Sequence, residues 1–236
     1  VAVAFSGGVD SAYLLYAATR YAARVKAYYV STAFQPEFEL ADARRLADEL
    51  GADMLVLHVD VLSNSAVTAN PSDRCYHCKN TLFRQILRAA ENDGFPVLLD
   101  GTNASDDAGD RPGMRALREL SVRSPLRECG LTKAEIRRLS REAGLFTWDK
   151  PAYACLATRI RTGEEITLQK LKQTEKAEGF LFGLGFRDFR VRMVGNTAKL
   201  ELREADLPLL LENRKKIVTE LRKDYDSVLL NLEVRK

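Results

Sequence analysis

Long apolar runs are missing from this chain, and no basic–apolar leader precedes its first apolar segment. The first absence excludes a helical membrane span, and the second argues against export. Charge of one sign is missing too: 36 Lys and Arg against 33 Asp and Glu leave a formal +3. Bulk electrostatics therefore gives no reason to expect a nucleic-acid partner. Cysteine is sparse, at four, and a chain of 236 residues can build its core without disulfides. Together with the missing export signal, this favours metal or thiol chemistry over a disulfide framework for Cys75, Cys78, Cys129 and Cys155. No internal repeat or low-complexity tract is visible. With 46% hydrophobic and 29% charged residues, the composition has the balance of an ordinary soluble protein, and the length allows one large domain or two modest ones. A cytoplasmic location is the expectation. The chain opens at Val1 inside an apolar run and without Met, so a natural segment ahead of it is expected.

The richest segment is the first. Val1–Phe5 reads as a buried strand that turns through Ser6-Gly7-Gly8-Val9-Asp10-Ser11 straight into an amphipathic helix. Such a loop aims backbone amides and the positive end of a helix dipole at one point, which suits a phosphate. Gly7 and Gly8 allow close approach and positive φ, while Ser6 and Ser11 supply hydroxyls. The loop lacks both the Gly-Lys-Ser/Thr ending of the Walker loop and the spacing of dinucleotide fingerprints. SGGVDS after a strand resembles the PP-loop of the ATP-pyrophosphatase families, which cleave ATP between its α and β phosphates. That resemblance implies ATP on Ser6, Gly7, Gly8, Val9, Asp10 and Ser11.

Further along, strands are expected at 25–30, 54–59 and 97–100, and helices at 11–21, 36–50 and 79–92. Gly51 caps the second helix, and Thr132 with Glu135 has capping-box spacing. Residues 60–74 read as a loop and 104–113 as a polar segment, mobile or ligand-ordered. Alternation of this kind predicts an α/β, doubly wound parallel sheet with its ligand beyond the carboxyl ends of the strands. Val30, Gly101 and Thr102 would converge there beside the loop. After residue 163 the pattern becomes a smaller α+β unit: a helix over 168–184, a hairpin of 189–194 and 198–202 about Gly195-Asn196, a helix over 205–223 and a strand over 228–234. The domains are accordingly drawn as 1–163 and 164–236.

Arg74-Cys75-Tyr76-His77-Cys78-Lys79 places a C-x-x-C immediately before a helix, and Cys155 lies in Lys150-Pro-Ala-Tyr-Ala-Cys155. Several chemistries fit. Zinc with His77 as fourth ligand is one, although His77 between the two cysteines would strain a tetrahedron. A redox disulfide between Cys75 and Cys78 is another. An iron–sulfur cluster on three thiolates, leaving one iron open, is a third. Nucleophilic or sacrificial chemistry at Cys155 is the fourth. Cys129 reads as a buried, unreactive cysteine. Asp10 is a candidate for Mg²⁺ on the phosphates, or for a carboxylate that simply favours the helix dipole. Lys79, Arg74 and Arg159 flank the cysteines, where positive charge would attract an anionic substrate. Trp148 and Tyr153 could stack on an aromatic ring or serve in packing.

SGGVDS, RCYHCK, GTNASDD, Ser124-Pro-Leu with Leu131-Thr-Lys, and KPAYACLATRI follow one another in an order and spacing similar to those of the LarE family of sulfur transferases. The resemblance covers nearly the whole chain. It implies ATP-dependent adenylation of a carboxylate on a pyridinium-dicarboxylate mononucleotide, then replacement of AMP by sulfur, in nickel-pincer cofactor synthesis. It also implies either a [4Fe-4S] cluster on Cys75, Cys78 and Cys155, carrying a transferable sulfide, or a Cys155 that surrenders its own sulfur. Presence of all three cysteines favours the cluster. The implied cofactors are ATP, Mg²⁺ and [4Fe-4S]; the implied partners are a small nucleotide, sulfide or another sulfur donor, and further copies of the chain. Arg190 and Arg192 alternate onto one strand face and would hold the substrate phosphate or form the polar outer face of a half-exposed sheet, with Glu201 as their neighbour and a candidate metal ligand. The rival readings are a tRNA thiolase, an ATP-sensing or iron–sulfur scaffold, and an ammonia-using ligase.

Overall fold

The computed structural model describes residues 1–106 and 112–235. The centre of the polar 104–113 segment therefore lies outside the described residues. The chain forms two compact units, 1–67 with 72–153, and 68–71 with 154–236.

In the first unit the elements are β1 (Ala2–Ala4), α1 (Val9–Tyr21), β2 (Lys26–Ser31), α2 (Glu37–Leu50), β3 (Asp53–His58), α3 (Ser65–Thr68), α4 (Arg74–Asn92), β4 (Leu98–Leu99), α5 (Pro112–Glu119), α6 (Pro125–Glu128) and α7 (Lys133–Glu142). The strands form a four-stranded parallel sheet in the order β3-β2-β1-β4. Period-two alternation decides what each face buries. Val3, Ala27 and Tyr29 pack with Leu14, Leu15, Ala43, Leu46 and Ile136 from α1, α2 and α7. Ala2, Tyr28, Val30 and Leu98 pack on the other side with Ile86 and Ala90 of α4. Helices on both faces make the sheet doubly wound, as expected. The chain runs outward from β1 through β2 to β3, then returns to the other side of β1 as β4. The switch point is therefore the crevice between β1 and β4.

Local signals behave as read. Gly51 closes α2 in the left-handed conformation at φ 61°. Thr132 and Glu135 form a complete capping box on α7. One boundary differs with consequence: α4 begins at Arg74, so Cys75 and Cys78 lie in its first turns rather than in a loop before it. Nothing in RCYHCK breaks a helix, and the i,i+4 contact from His77 Nε2 to Asp73 Oδ2 (3.4 Å) spans that turn.

The second unit contains α8 (Leu168–Gly183), β5 (Arg190–Val194), β6 (Thr197–Glu201), α9 (Leu207–Leu221) and β7 (Ser227–Leu230). β5 and β6 are the expected antiparallel hairpin about Gly195, and β7 runs parallel to β6, ending earlier than the sequence pattern suggested. This unit starts at Ala154 rather than at 164. The reason is burial: Leu156, Ala157 and Ile160 belong to its core, and Ile160 bridges to Met193 of β5.

Candidate functional site

The PP-loop is held by its own hydroxyls. Ser11 Oγ donates to the Gly8 carbonyl (3.1 Å), accepts from the Ser6 amide (3.2 Å) and lies 3.0 Å from Ser6 Oγ. Gly7 sits at φ +72°, and a Cβ there would meet Ala43 Cβ of α2 at 3.2 Å. Gly101 approaches from β4 so closely that a Cβ would lie 2.8 Å from the Ser11 amide nitrogen. Because α1 starts at Val9 and its first ladder bond runs from the Ala12 amide to Gly8, the amides of 9–11 have no carbonyl within the helix.

A cleft of about 310 Å³ opens over this loop, in the size range of small-ligand sites. Ser6, Gly8, Asp10, Ser11, Val30, Gly101 and Thr102 line it, and so does Lys79, which the sequence reading had set beside the cysteines for the substrate. Gly7 and Val9 do not: Gly7 turns toward α2 and Val9 is buried in the core. Tyr28, Leu82, Phe83 and Ile86 supply an apolar wall suited to a purine, while Gln35 and Glu39 add polar groups. Burial, more than its hydrogen bond to Asp93, holds the Tyr28 phenol well above its ordinary value. Lys79, Thr102 and Asp106 also line a neighbouring cavity of about 320 Å³, and Cys75 is in its wall.

Several charged groups escaped the sequence reading. Lys133, at the start of α7, places Nζ 2.6 Å from Asp10 Oδ2. Lys150 Nζ bonds Asp42 of α2 (2.7 Å) and reaches the Gly7 carbonyl at 3.4 Å. Asp100 accepts from Thr102 (2.5 Å) and Ser124 (2.6 Å) at the end of β4. The Leu131-Thr-Lys and Lys150-Pro motifs were visible signals, but no spacing rule tied their lysines to a loop more than a hundred residues away. Asp10 Oδ1 is buried and has no hydrogen-bond partner among the described residues. That orphaned oxygen beside the loop suits a divalent cation, so Asp10 fits the Mg²⁺ role. Lys133→Met would leave the Asp10 carboxylate uncompensated beside the phosphates. A roughly tenfold rise in KM for ATP is expected, about 1.4 kcal/mol, read by pyrophosphate release against ATP concentration. An unchanged KM would confine Lys133 to holding the fold.

Comparison with known proteins agrees with this geometry. A family model described as asparagine synthase matches residues 1–107. An uncharacterized protein of Synechocystis is 39% identical over 85% of this chain and 75% of its own. The pyridinium-3,5-bisthiocarboxylic acid mononucleotide synthase of Lactiplantibacillus plantarum is 35% identical over 87% of this chain and 75% of its own. The chain belongs to the LarE family. It is thereby a PP-loop, ATP-dependent sulfur transferase. A lower-identity match, 27% over 61% of this chain and 52% of the relative, is the tRNA-specific 2-thiouridylase of Thermotoga petrophila.

The thiols of this LarE chain are distributed over both units. Cys75 is exposed and Cys78 half-buried, three residues apart on α4 and hence on one helix face. The Arg74 guanidinium stands 3.8 Å from Cys75 Sγ. Cys155 is half-buried and belongs to the second unit. Among the described residues no group of three or more His, Cys, Asp or Glu is placed to hold a metal. Cys75 and Cys78 share the first turns of α4 in the first unit, and Cys155 opens the second. Cys129 is exposed rather than buried, because the short α6 ends there and turns at Gly130 (φ 72°).

Residues assigned to substrate in the second unit are placed differently from expectation. Arg159 is 1% exposed and makes a two-pronged pair with Glu178 of α8 at 2.8 and 2.9 Å. With its side chain shut off from solvent, it is not on a substrate surface. Arg190 is also buried, donating to the Phe189 carbonyl (2.6 Å). Burial, then the nearby Arg159 and Arg235 charges, lowers its pKa. Arg192 is more open, bonding both oxygens of Glu201 at 2.8 Å. That ion pair, with Arg235 at 4.0 Å, sets the Glu201 carboxylate among cations.

Proposed function

We propose that this chain uses ATP to adenylate a carboxylate of a pyridinium-dicarboxylate mononucleotide, then replaces the AMP with sulfur to give a thiocarboxylate for nickel-pincer cofactor synthesis. The observation that carries this reading is the cleft over the PP-loop, whose Lys79, Thr102 and Asp106 walls are shared with a cavity lined by Cys75. A nucleotide site beside a thiol is what acyl activation followed by sulfur attack requires. The name of the Lactiplantibacillus relative, a pyridinium-3,5-bisthiocarboxylic acid mononucleotide synthase, supports the same substrate class.

Adenine would sit against the apolar wall near Val30 and the phosphates on residues 6–11. A carboxylate oxygen attacks the α phosphorus, and the bond to the β-bridging oxygen breaks. Pyrophosphate leaves toward the α1 amides, where backbone donors and the Lys133 ammonium offset its charge. Asp10 would hold Mg²⁺, which supplies charge neutralisation on the phosphates. No general base is needed, because the attacking carboxylate is already ionised. A sulfur nucleophile then attacks the acyl carbon, and AMP departs with the bonding electrons.

Cys155 is the thiol we assign to presenting that sulfur. Acting alone, its thiolate forms a thioester with the acyl group. Loss of the Cα proton to water and cleavage of the Cβ–S bond then leave a thiocarboxylate and dehydroalanine. The side-by-side Cys75 and Cys78 on α4 favour the alternative in which all three thiolates hold [4Fe-4S], a group that supplies a replaceable sulfide when bound. An external sulfide donor and a homo-oligomer belong to the same reading.

Anoxic iron–sulfide reconstitution of the chain and of Cys75→Ala, Cys78→Ala and Cys155→Ala separates these forms. A [4Fe-4S] spectrum lost in all three variants is the expected result. Absence of a cluster, with intact-mass loss of one H₂S after turnover, makes the chain sacrificial. Turnover on tRNA with salt-dependent affinity, in place of the mononucleotide, would instead support the activity named for the Thermotoga relative.

A further inference from the structure

Every described residue from 156 to 160 has a structural task, and each task bears on the turn that begins at Cys155. Leu156 and Ala157 are fully buried, and Ile160 pairs with β5. Thr158 closes the turn onto Cys155 twice: its amide donates to the Cys155 carbonyl at 3.0 Å and its hydroxyl at 2.8 Å. Arg159 Nη1 donates to the Ala154 carbonyl (2.9 Å) and to Thr158 Oγ1 (2.9 Å). The other edge of the same guanidinium carries the Glu178 pair, and Glu178 Oε1 also accepts the Val191 amide of β5 (2.9 Å). Arg192 Nη1 reaches the Thr158 carbonyl at 2.5 Å. Backbone carbonyls 154, 155 and 158 are therefore each gripped, and the grips lead to α8 and β5.

A buried ion pair is a poor device for stability alone, since apolar residues of similar volume often do as well. A guanidinium offers what they cannot: a planar fork that fixes a carboxylate on one edge and a carbonyl on the other. We infer that Arg159, Glu178 and Thr158 are positioning residues that fix the backbone on both sides of Cys155, so that its sulfur is presented in one orientation. This deepens the proposed function and rests on Cys155 being the sulfur-presenting thiol. It also replaces the substrate-binding role expected of Arg159. A displacement of about 1 Å at a reacting atom can lower a rate about 100-fold, which is reason enough for such a grip.

Thiol alkylation tests the inference independently of turnover. In the cluster-free chain, iodoacetamide labelling followed by peptide mass spectrometry reads Cys155 with the exposed Cys75 and Cys129 as references in the same tube. Thr158→Val removes one hydroxyl grip, and Arg159→Lys keeps the charge but not the fork. Both are expected to speed Cys155 alkylation several-fold, leave Cys75 and Cys129 unchanged, and lower kcat for sulfur transfer with KM for ATP held. Thr158→Ser, which retains the hydroxyl, should restore the slow alkylation. If Arg159→Lys does not fold, the two Thr158 variants carry the test. Wild-type Cys155 rates in Thr158→Val, or acceleration of all three thiols together, would overturn the inference. Sulfur transfer that persists in Cys155→Ala would overturn the assignment of Cys155 while leaving the alkylation result standing.

Discussion

Gly101→Ala is expected to abolish most ATP-dependent pyrophosphate release while leaving a folded protein. The added Cβ would stand 2.8 Å from the Ser11 nitrogen, 3.1 Å from its Cα and 3.2 Å from the Asp10 carbonyl carbon. All three are backbone atoms in the first turn of α1, so no side chain can swing aside. Either β4 withdraws or the start of α1 shifts, and both misplace the amides that face the phosphates. Overpacking of this kind costs about 1–3 kcal/mol of stability. The larger effect falls on catalysis, where a small displacement of a positioned group can lower the rate about 100-fold. Pyrophosphate release with thermal melting as the control reads both quantities. Near wild-type kcat/KM would show that the loop yields without cost, and that Gly101 serves only to end the strand.

The second large effect is on stability. Glu178→Ala would leave the Arg159 guanidinium, whose side chain is 0% exposed, without its counter-charge. It would also strip the Val191 amide of its acceptor. Breaking a buried pair from one side costs about 3–5 kcal/mol, a large part of the roughly 5–15 kcal/mol that holds a typical domain. Thermal melting should therefore fall by roughly 10 °C or more. Arg159→Met with Glu178→Leu removes both charges and should recover much of that loss, because no ion is left stranded. The sign of the coupling in this cycle decides the matter. A single variant that melts within a degree or two of wild type would mean that water reaches Arg159 and that the pair is not truly buried.

These two predictions rest on contacts of unequal legibility. The PP-loop could be read from six consecutive residues, because its function depends on local backbone geometry: a strand, two glycines and a helix start. Gly51, Thr132 and Glu135 were legible for the same reason, since a cap acts within one turn. The start of α4 was misread: a helix was expected from 79 with the C-x-x-C ahead of it, while the helix begins at Arg74 and runs through both cysteines. Arg159 was misread through its company. A cationic residue four positions from a reactive thiol looks like a substrate contact until the carboxylate on a distant helix is known.

Composition, periodicity and local motif thus determined the doubly wound sheet, the phosphate loop, the thiols and the family to which they point. Each of those depends on residues a few positions apart, whose conformational preferences are written in the chain itself. Tertiary structure alone decided which cations meet which carboxylates: Lys133 on Asp10, Lys150 on Asp42, Arg159 on Glu178, Arg192 on Glu201. With 36 basic and 33 acidic residues, the possible pairings far outnumber those realised, and charge attraction is non-directional and weak until burial selects a partner.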